Sequence, residues 1–275
     1  MPFFVDQEPT RPLQQIRVDQ EATRPIRKIR VDQEPTRPLQ QIRVDAKQDA
    51  AVVGNERMIA LVGAVLLVLI VAEIGITARL HALMPIHIFV GVLLTVPLFV
   101  KIGSTGYRFL HYYTGSPAFV RKGPPRLEMR LLAPLLLLAS LGLVTSGIAL
   151  ALLSPTTVWS VWVLRLHALS VICWLPLLAL HVGAYIWRVP RLLLADWQKH
   201  STRQIPGRGW RYGGTLVALL AGASAAALFS PQATSWTAWE PNIASKMPGP
   251  LLAALFAAFL VGLGGLILFR PWRWR

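Results

Sequence analysis

Long apolar stretches, each about the length of a membrane crossing, alternate along the chain with short connections rich in Lys and Arg. Six stand out, at roughly 58–78, 80–100, 131–153, 161–187, 213–229 and 250–269. A helix rises ~1.5 Å per residue, so about 20 apolar residues cross the ~30 Å of a bilayer's hydrocarbon. The pattern predicts an all-α, polytopic transmembrane bundle of six helices. The first two spans meet at Arg79 with almost no connection, which predicts a tight helical hairpin. The fifth is the shortest and is rich in Gly and Ala, residues that let helices approach closely. The connection 230–249, polar with Pro and Trp, reads as an interfacial cap. The first long apolar run starts near residue 58, so it is expected to act as an uncleaved anchor.

The segment before it has a different pattern. Three 13-residue repeats follow one another: VDQEPTRPLQQIR at 5–17, VDQEATRPIRKIR at 18–30 and VDQEPTRPLQQIR at 31–43. Each mixes charges, contains Pro and holds few bulky apolar residues, too few to offset the entropy of ordering. Residues 1–57 are therefore expected to form a disordered tail, 58–190 a four-helix transmembrane core, and 191–275 two further spans with a polar outer loop. Within the repeats, Thr10, Thr23 and Thr36 follow Asp-Gln-Glu, with Leu13, Ile26 and Leu39 three residues on. A phosphothreonine with an aliphatic residue at that offset resembles the ligands of forkhead-associated domains. A spacer duplicated by replication slippage accounts for the same repeats.

Composition agrees with a membrane protein: 54% of residues are hydrophobic and 15% charged, against about 25% charged in a soluble domain. Lys and Arg number 28 against 13 Asp and Glu, a formal charge of +15. Residues 1–57 hold ten of the bases and nine of the acids, and the other acids are Glu73, Glu128, Asp196 and Glu240. The excess thus falls in the connections between spans, where topology and anionic lipid explain it, and nucleic acid is not an expected partner. The connections at 1–57, 101–130, 188–212 and 270–275 carry 25 bases, the opposite set only Arg79, Arg165 and Lys246. Because bases resist translocation, both termini are expected in the cytoplasm and the protein in the cell (inner) membrane. Trp159, Trp162, Trp236 and Trp239 then mark the outer boundary, and Trp187, Trp272 and Trp274 the inner one. Cys173 is a lone cysteine in an apolar run, so no internal disulfide or thiolate cluster forms.

Ionisable groups at membrane depth point to function. His81, His87, His167 and His181 lie in or at the edge of spans. His167 and His181, 14 residues apart on one span, fall within about 40° of the same helix face and ~21 Å apart along its axis. That spacing suits planar cofactors stacked across a bilayer, with iron held by imidazole. His87 lies on span two, which runs in the same direction as span four, and a pair of imidazoles from facing helices grips haem without charged ligands.

The stretches His87-Ile-Phe-Val-Gly91, Lys101-Ile-Gly-Ser-Thr-Gly-Tyr-Arg-Phe109 and Tyr112-Tyr113-Thr-Gly115, with Leu166-His167 and His181, resemble a bacterial family of membrane b-type cytochromes. The plan is similar to the prokaryotic di-haem cytochrome b class with its four-helix core, over about residues 58–190. The resemblance implies haem ligation by His87, His167 and His181, and electron exchange with a quinone or a membrane-attached redox partner. The chain departs from the pattern where a second haem requires another His on span two: position 101 is Lys101, and His111 lies about 15 Å deeper. One haem b is therefore expected rather than two. By depth from the flanking bases His81 matches His167 better than His87 does; His87 falls between His167 and His181, and helix tilt decides which of those two it partners.

Two further groups bear on this chemistry. Glu73 and His81, near the outer interface, could accept quinol protons, while a snorkelling Glu73 paired with Arg79 or Arg165 fits equally. Lys101, Tyr107, Arg108, Tyr112 and Tyr113 form a basic-aromatic cluster, suited to a haem propionate or to simple anchoring. The leading function is a membrane cytochrome b, an electron-transfer subunit rather than a stand-alone enzyme. The alternative is a haem-free membrane anchor whose phosphorylated tail recruits a forkhead-associated-domain partner. A transporter is disfavoured, since neither inverted repeats nor broken polar helices are visible.

Overall fold

A computed structural model describes residues 39–124, 126–198, 205–238 and 248–269. Among the described residues the elements are α1 (Leu39–Thr77), α2 (Leu80–Tyr113), α3 (Pro117–Lys122), α4 (Leu127–Leu152), α5 (Val158–Tyr185), α6 (Val189–Trp197), α7 (Arg208–Phe229), α8 (Ala233–Thr237) and α9 (Pro248–Leu268). Five segments are long and apolar enough to cross a membrane: Gln48–Thr77 in α1, then α2, α4, α5 and Arg208–Gln232. The apolar part of α9, Leu252–Leu268, is shorter. Large apolar side chains such as Val68, Phe99, Leu138 and Leu220 project outward uncovered, as lipid-facing residues do. The chain is an all-helical, multi-pass membrane protein.

Two packed groups make up the bundle. α2 lies between α1 and α7, and α5 lies between α4 and α9, with a lighter contact of α4 on α2 joining them. α2 and α5 do not pack closely on each other, which leaves room between them for side chains. The close approach of α7 to α2 has a local cause. Pro97, inside α2, has no N–H to give the carbonyl of Leu93. Gly222 of α7 fits against that carbonyl: a Cβ there would lie 2.5 Å from the Leu93 oxygen. Arg211, Thr215, Ala218, Gly222 and Ala226 form the buried stripe of α7, at helical spacing. The Gly and Ala content of this span therefore serves close packing, as expected from the sequence. Leu175 of α5 with Ala254 and Ala258 of α9 forms the core of the other group.

The hairpin between α1 and α2 is as tight as the sequence predicts, two residues long, with Arg79 N–H donating to the Ile76 carbonyl at 3.0 Å. Immediately afterwards α2 is kinked: Leu83 has φ −112° and ψ 17°, two residues before Pro85. Pro85 cannot donate to the preceding turn and its ring crowds it, which breaks the helix axis there. The first turn of α2, with His81, is thus offset from the body that carries His87. At the same end, α8 caps the bundle, with Trp236 buried and its Nε1–H donating to the Leu150 carbonyl at 3.0 Å.

The opposite end, called the base below, is where α1 departs from expectation. Residues 39–57 were expected in a disordered tail, yet they form the first turns of α1. Charge pairing fixes the part of α1 from Asp49 to Arg57. Glu56, only 6% exposed, receives Arg188 at 3.0 Å, Arg108 at 3.2 Å and Lys122 at 3.4 Å, and so joins α1 to α2, α3 and the start of α6. Arg57 donates to Asp196 of α6 at 2.7 Å, and Arg211 of α7 reaches both Asp196 oxygens at 2.5 and 3.2 Å. Asp49 pairs with Arg121 at 3.0 Å, and Asn55 donates to the Ser104 carbonyl at 3.1 Å. Burial alone would raise the pKa of Asp196; the hydrogen bonds from Arg211 and Arg57 outweigh it and hold the carboxyl below its usual 3.8. Most of the repeat region, with Thr10, Thr23 and Thr36, lies outside the described residues, and with it the phosphothreonine partner.

Candidate cofactor site

Near the hairpin end, four helices bring four polar side chains together between the two packed groups. His87 of α2 and His167 of α5 face each other with ring centroids 6.4 Å apart and ring planes at 81°. The carboxylate of Glu73, on α1, contacts His87 Nδ1. Ser146 Oγ, on α4, lies 3.0 Å from His167 Nδ1. Glu73 is 15% and His87 25% exposed, so both are shielded within an apolar surround.

Proton counting assigns the tautomers. A serine hydroxyl has one proton, and that of Ser146 is directed at the Gly142 carbonyl, 2.6 Å away in the preceding turn of α4. Ser146 therefore accepts from His167 Nδ1–H, and the lone pair of that imidazole sits on Nε2. The Glu73 carboxylate is in ion-pair contact with His87 Nδ1 without the geometry of a hydrogen bond, and an acceptor-only group there favours the proton on Nδ1 and the lone pair on Nε2. Fixing Nδ1–H on an acceptor while Nε2 keeps its lone pair is how proteins prepare histidine to bind a metal. No hydrogen bond engages either Nε2 among the described residues.

The separation of the rings is informative. Metal–imidazole bonds are about 2 Å, so two imidazoles on opposite sides of one iron have centroids roughly 6 Å apart. The 6.4 Å separation fits that arrangement. Rings that share an axis can turn about it independently, so near-perpendicular planes are compatible with it. Among the described residues no three of His, Cys, Asp and Glu gather into a metal-binding group. Two protein ligands are few for a bare ion and are the complement that haem, which brings four nitrogens of its own, takes from a helical bundle. This donor set fits haem.

The remaining sequence-derived residues are distributed unevenly around this pair. His81 is exposed on the first turn of α2, apart from His87 and its partner Glu73. The depth arithmetic that favoured His81 assumed a straight α2, and the kink at Leu83 removes that assumption. Glu73 pairs with His87 rather than with Arg79, Arg165 or His81; Arg165 lies over the Trp162 ring at 5.0 Å. His181 packs on Tyr185, with ring centroids 5.0 Å apart, and meets no second imidazole among the described residues. Lys101 is at the matching level of α2, but its Nζ donates to the Ile59 carbonyl of α1 at 2.5 Å. It is seated on Gly63, where a Cβ would lie 2.6 Å from the ammonium. Arg108 is taken by Glu56, and Tyr107 stacks with His111 and Phe119. The basic-aromatic cluster thus knits α1, α2 and α3 together.

Sequence reasoning missed Ser146 and Gly147. Ser146 orients His167, and Gly147 makes room for its ring, since a Cβ there would lie 3.2 Å from Cε1. The signal was a Thr-Ser-Gly step at 145–147 within an otherwise apolar span. A second polar link joins the same helices, Trp174 Nε1–H donating to Ser140 Oγ at 2.9 Å. The chain matches no protein-family model, no curated protein and no solved structure.

Proposed function

We propose that this protein is a b-type cytochrome of the cell (inner) membrane, carrying electrons between a quinone pool and a membrane-attached redox partner. One haem b is held by His87 and His167. The observation that carries this reading is the facing pair of imidazoles 6.4 Å apart, with His167 Nδ1 hydrogen-bonded to Ser146 and His87 Nδ1 in ion-pair contact with Glu73. The resemblance to membrane b-type cytochromes belongs to the same proposal and rests on the same histidines. When bound, haem supplies a one-electron carrier. The chain's own residues do the rest: α2 and α5 present the ligands, Glu73 and Ser146 fix their protons, and the apolar surround excludes water. The count of one is supported by Lys101, tied to the Ile59 carbonyl of α1, standing where a second haem would need another histidine on α2.

The proposed topology has six spans, with α9 as the sixth, and both termini in the cytoplasm. Its support is the clustering of Lys and Arg at the base, on Arg57, Arg108, Arg121, Lys122, Arg188 and Arg211. A reporter fused after Arg275 should behave as cytoplasmic and one inserted at 238 as exported; the reverse labelling overturns this orientation.

Haem is tested directly. A pyridine haemochrome assay on protein purified from a haem-competent host should give about one haem per chain. Dithionite should produce the sharp α-band of low-spin, bis-imidazole haem b. Protein that contains no haem ends the cytochrome reading.

A further inference from the structure

The two imidazoles are held alike in geometry and differently in charge. The Nδ1–H of His167 meets a neutral hydroxyl, Ser146 Oγ at 3.0 Å, which itself donates a hydrogen bond to the Gly142 carbonyl of the same helix. The Nδ1–H of His87 meets a carboxylate, Glu73, from a different helix. Both Glu73 oxygens are shut away from solvent, and His87 is the single group paired with them among the described residues. The two arginines nearest in sequence or depth do not neutralise it: Arg165 is occupied with Trp162, and Arg79 is exposed in the hairpin turn. Elsewhere in the chain each described buried carboxylate, Glu56 and Asp196, is met by two or more cations. Glu73 is the exception, and it is aimed at a ligand.

We infer that Glu73 is a positioning residue that sets the electron affinity of the iron held by His87 and His167, keeping its reduction potential low. This rests on the haem reading above. An anion paired with the far nitrogen of an imidazole ligand would raise the electron density that the ligand offers a metal. In a shielded, low-dielectric site its charge also stabilises the more positive, oxidised state over the reduced one. Ser146 supplies the same orientation to His167 without the charge. The chain thereby gives one haem two ligands of unequal donor strength, and the unequal one comes from α1.

Redox titration of the purified, haem-replete protein tests this with three variants. Glu73→Gln keeps the size and the acceptor oxygen and removes the charge. Its potential should rise so that, at the wild-type midpoint, the reduced-to-oxidised ratio is at least tenfold higher, about 59 mV for one electron. The α-band should stay low-spin, because both ligands remain. Glu73→Asp, which restores the charge at a shorter reach, should give a smaller rise, and Ser146→Ala a smaller one than Glu73→Gln. Low-spin haem in Glu73→Gln with an unchanged or lowered potential overturns the inference while leaving the cytochrome reading intact. If Glu73→Gln holds no haem, a fourth variant, Glu73→Ser, which also replaces the charge with a neutral acceptor, decides, and an unchanged or lowered midpoint there overturns it equally. Absence of haem from the wild-type protein removes the cytochrome reading itself.

Discussion

The two ends of the bundle both bury carboxylates, and they use them in opposite ways. At the base, Asp196 accepts from Arg57 and from two nitrogens of Arg211, and Glu56 is surrounded by three cations. Each partner there comes from another helix, so the charges tie α1, α2, α3, α6 and α7 into one unit. At the hairpin end, Glu73 meets one imidazole, and that imidazole and the one facing it keep an unused nitrogen. A polar cluster that uses up its bonding capacity holds a fold together. One that leaves ring nitrogens without hydrogen bonds retains capacity to bind a ligand. Counter-charge, more than burial, separates the two clusters: Glu56 and Asp196 each meet two or more cations, and Glu73 meets one imidazole.

The largest expected effect breaks this contrast at the hairpin end. His167→Ala or His87→Ala should abolish the low-spin α-band, by loss of haem or by conversion to a five-coordinate, high-spin spectrum. Absorption spectra of the purified variants show which. A low-spin band intact in both variants would move the ligands elsewhere.

At the base, Asp196→Ala leaves Arg57 and Arg211 buried without their counter-charge, and removing one partner of such a pair typically destabilises by about 3–5 kcal/mol. Detergent-solubilised protein should melt well below wild type, while the fraction still folded keeps its α-band. A spectral change without a change in melting would reverse the assignment of the two clusters.

Packing variants come next. Gly222→Ala drives a methyl into the Leu93 carbonyl of α2, and overpacking of this kind costs about 1–3 kcal/mol. Gly147→Ala has more room, 3.2 Å from His167 Cε1, so it should leave stability within about 1 kcal/mol of wild type. Its effect should appear in the haem spectrum or potential. Melting curves alongside redox titrations separate the two.

Acid gives a gentler probe of the base. The folded pKa of Asp196 is depressed, so the stability it contributes is fully present above the ordinary carboxylate value of 3.8 and is lost as pH falls below it towards the folded value. The wild type should therefore lose its melting advantage over Asp196→Asn as pH is lowered through that window. An advantage that stays constant there would show that Asp196 is not the titrating group.

Much of this protein is legible in its residues alone. Apolar run lengths predicted helices that cross a membrane, Arg79 predicted the hairpin, and the Gly and Ala of 213–229 predicted a close-packed helix. These follow because hydrocarbon thickness and helical rise are properties of local sequence. The sequence also picked out the histidines, since an ionisable group within an apolar run is visible without a fold. What it could not do was pair them. Straight-helix arithmetic favoured His81, and the kink at Leu83, before Pro85, turned the facing position over to His87. Nor could it find the partner of Glu73, the proton on Ser146, or the ion pairs of Asp49, Glu56 and Arg57 that tie α1 to its neighbours. Those depend on residues far apart in the chain, such as Arg57 and Asp196 or Ser146 and His167, that meet only after the helices pack. Local sequence determined which segments enter the membrane; the packing of those segments decided which imidazoles face each other and which nitrogens stay free.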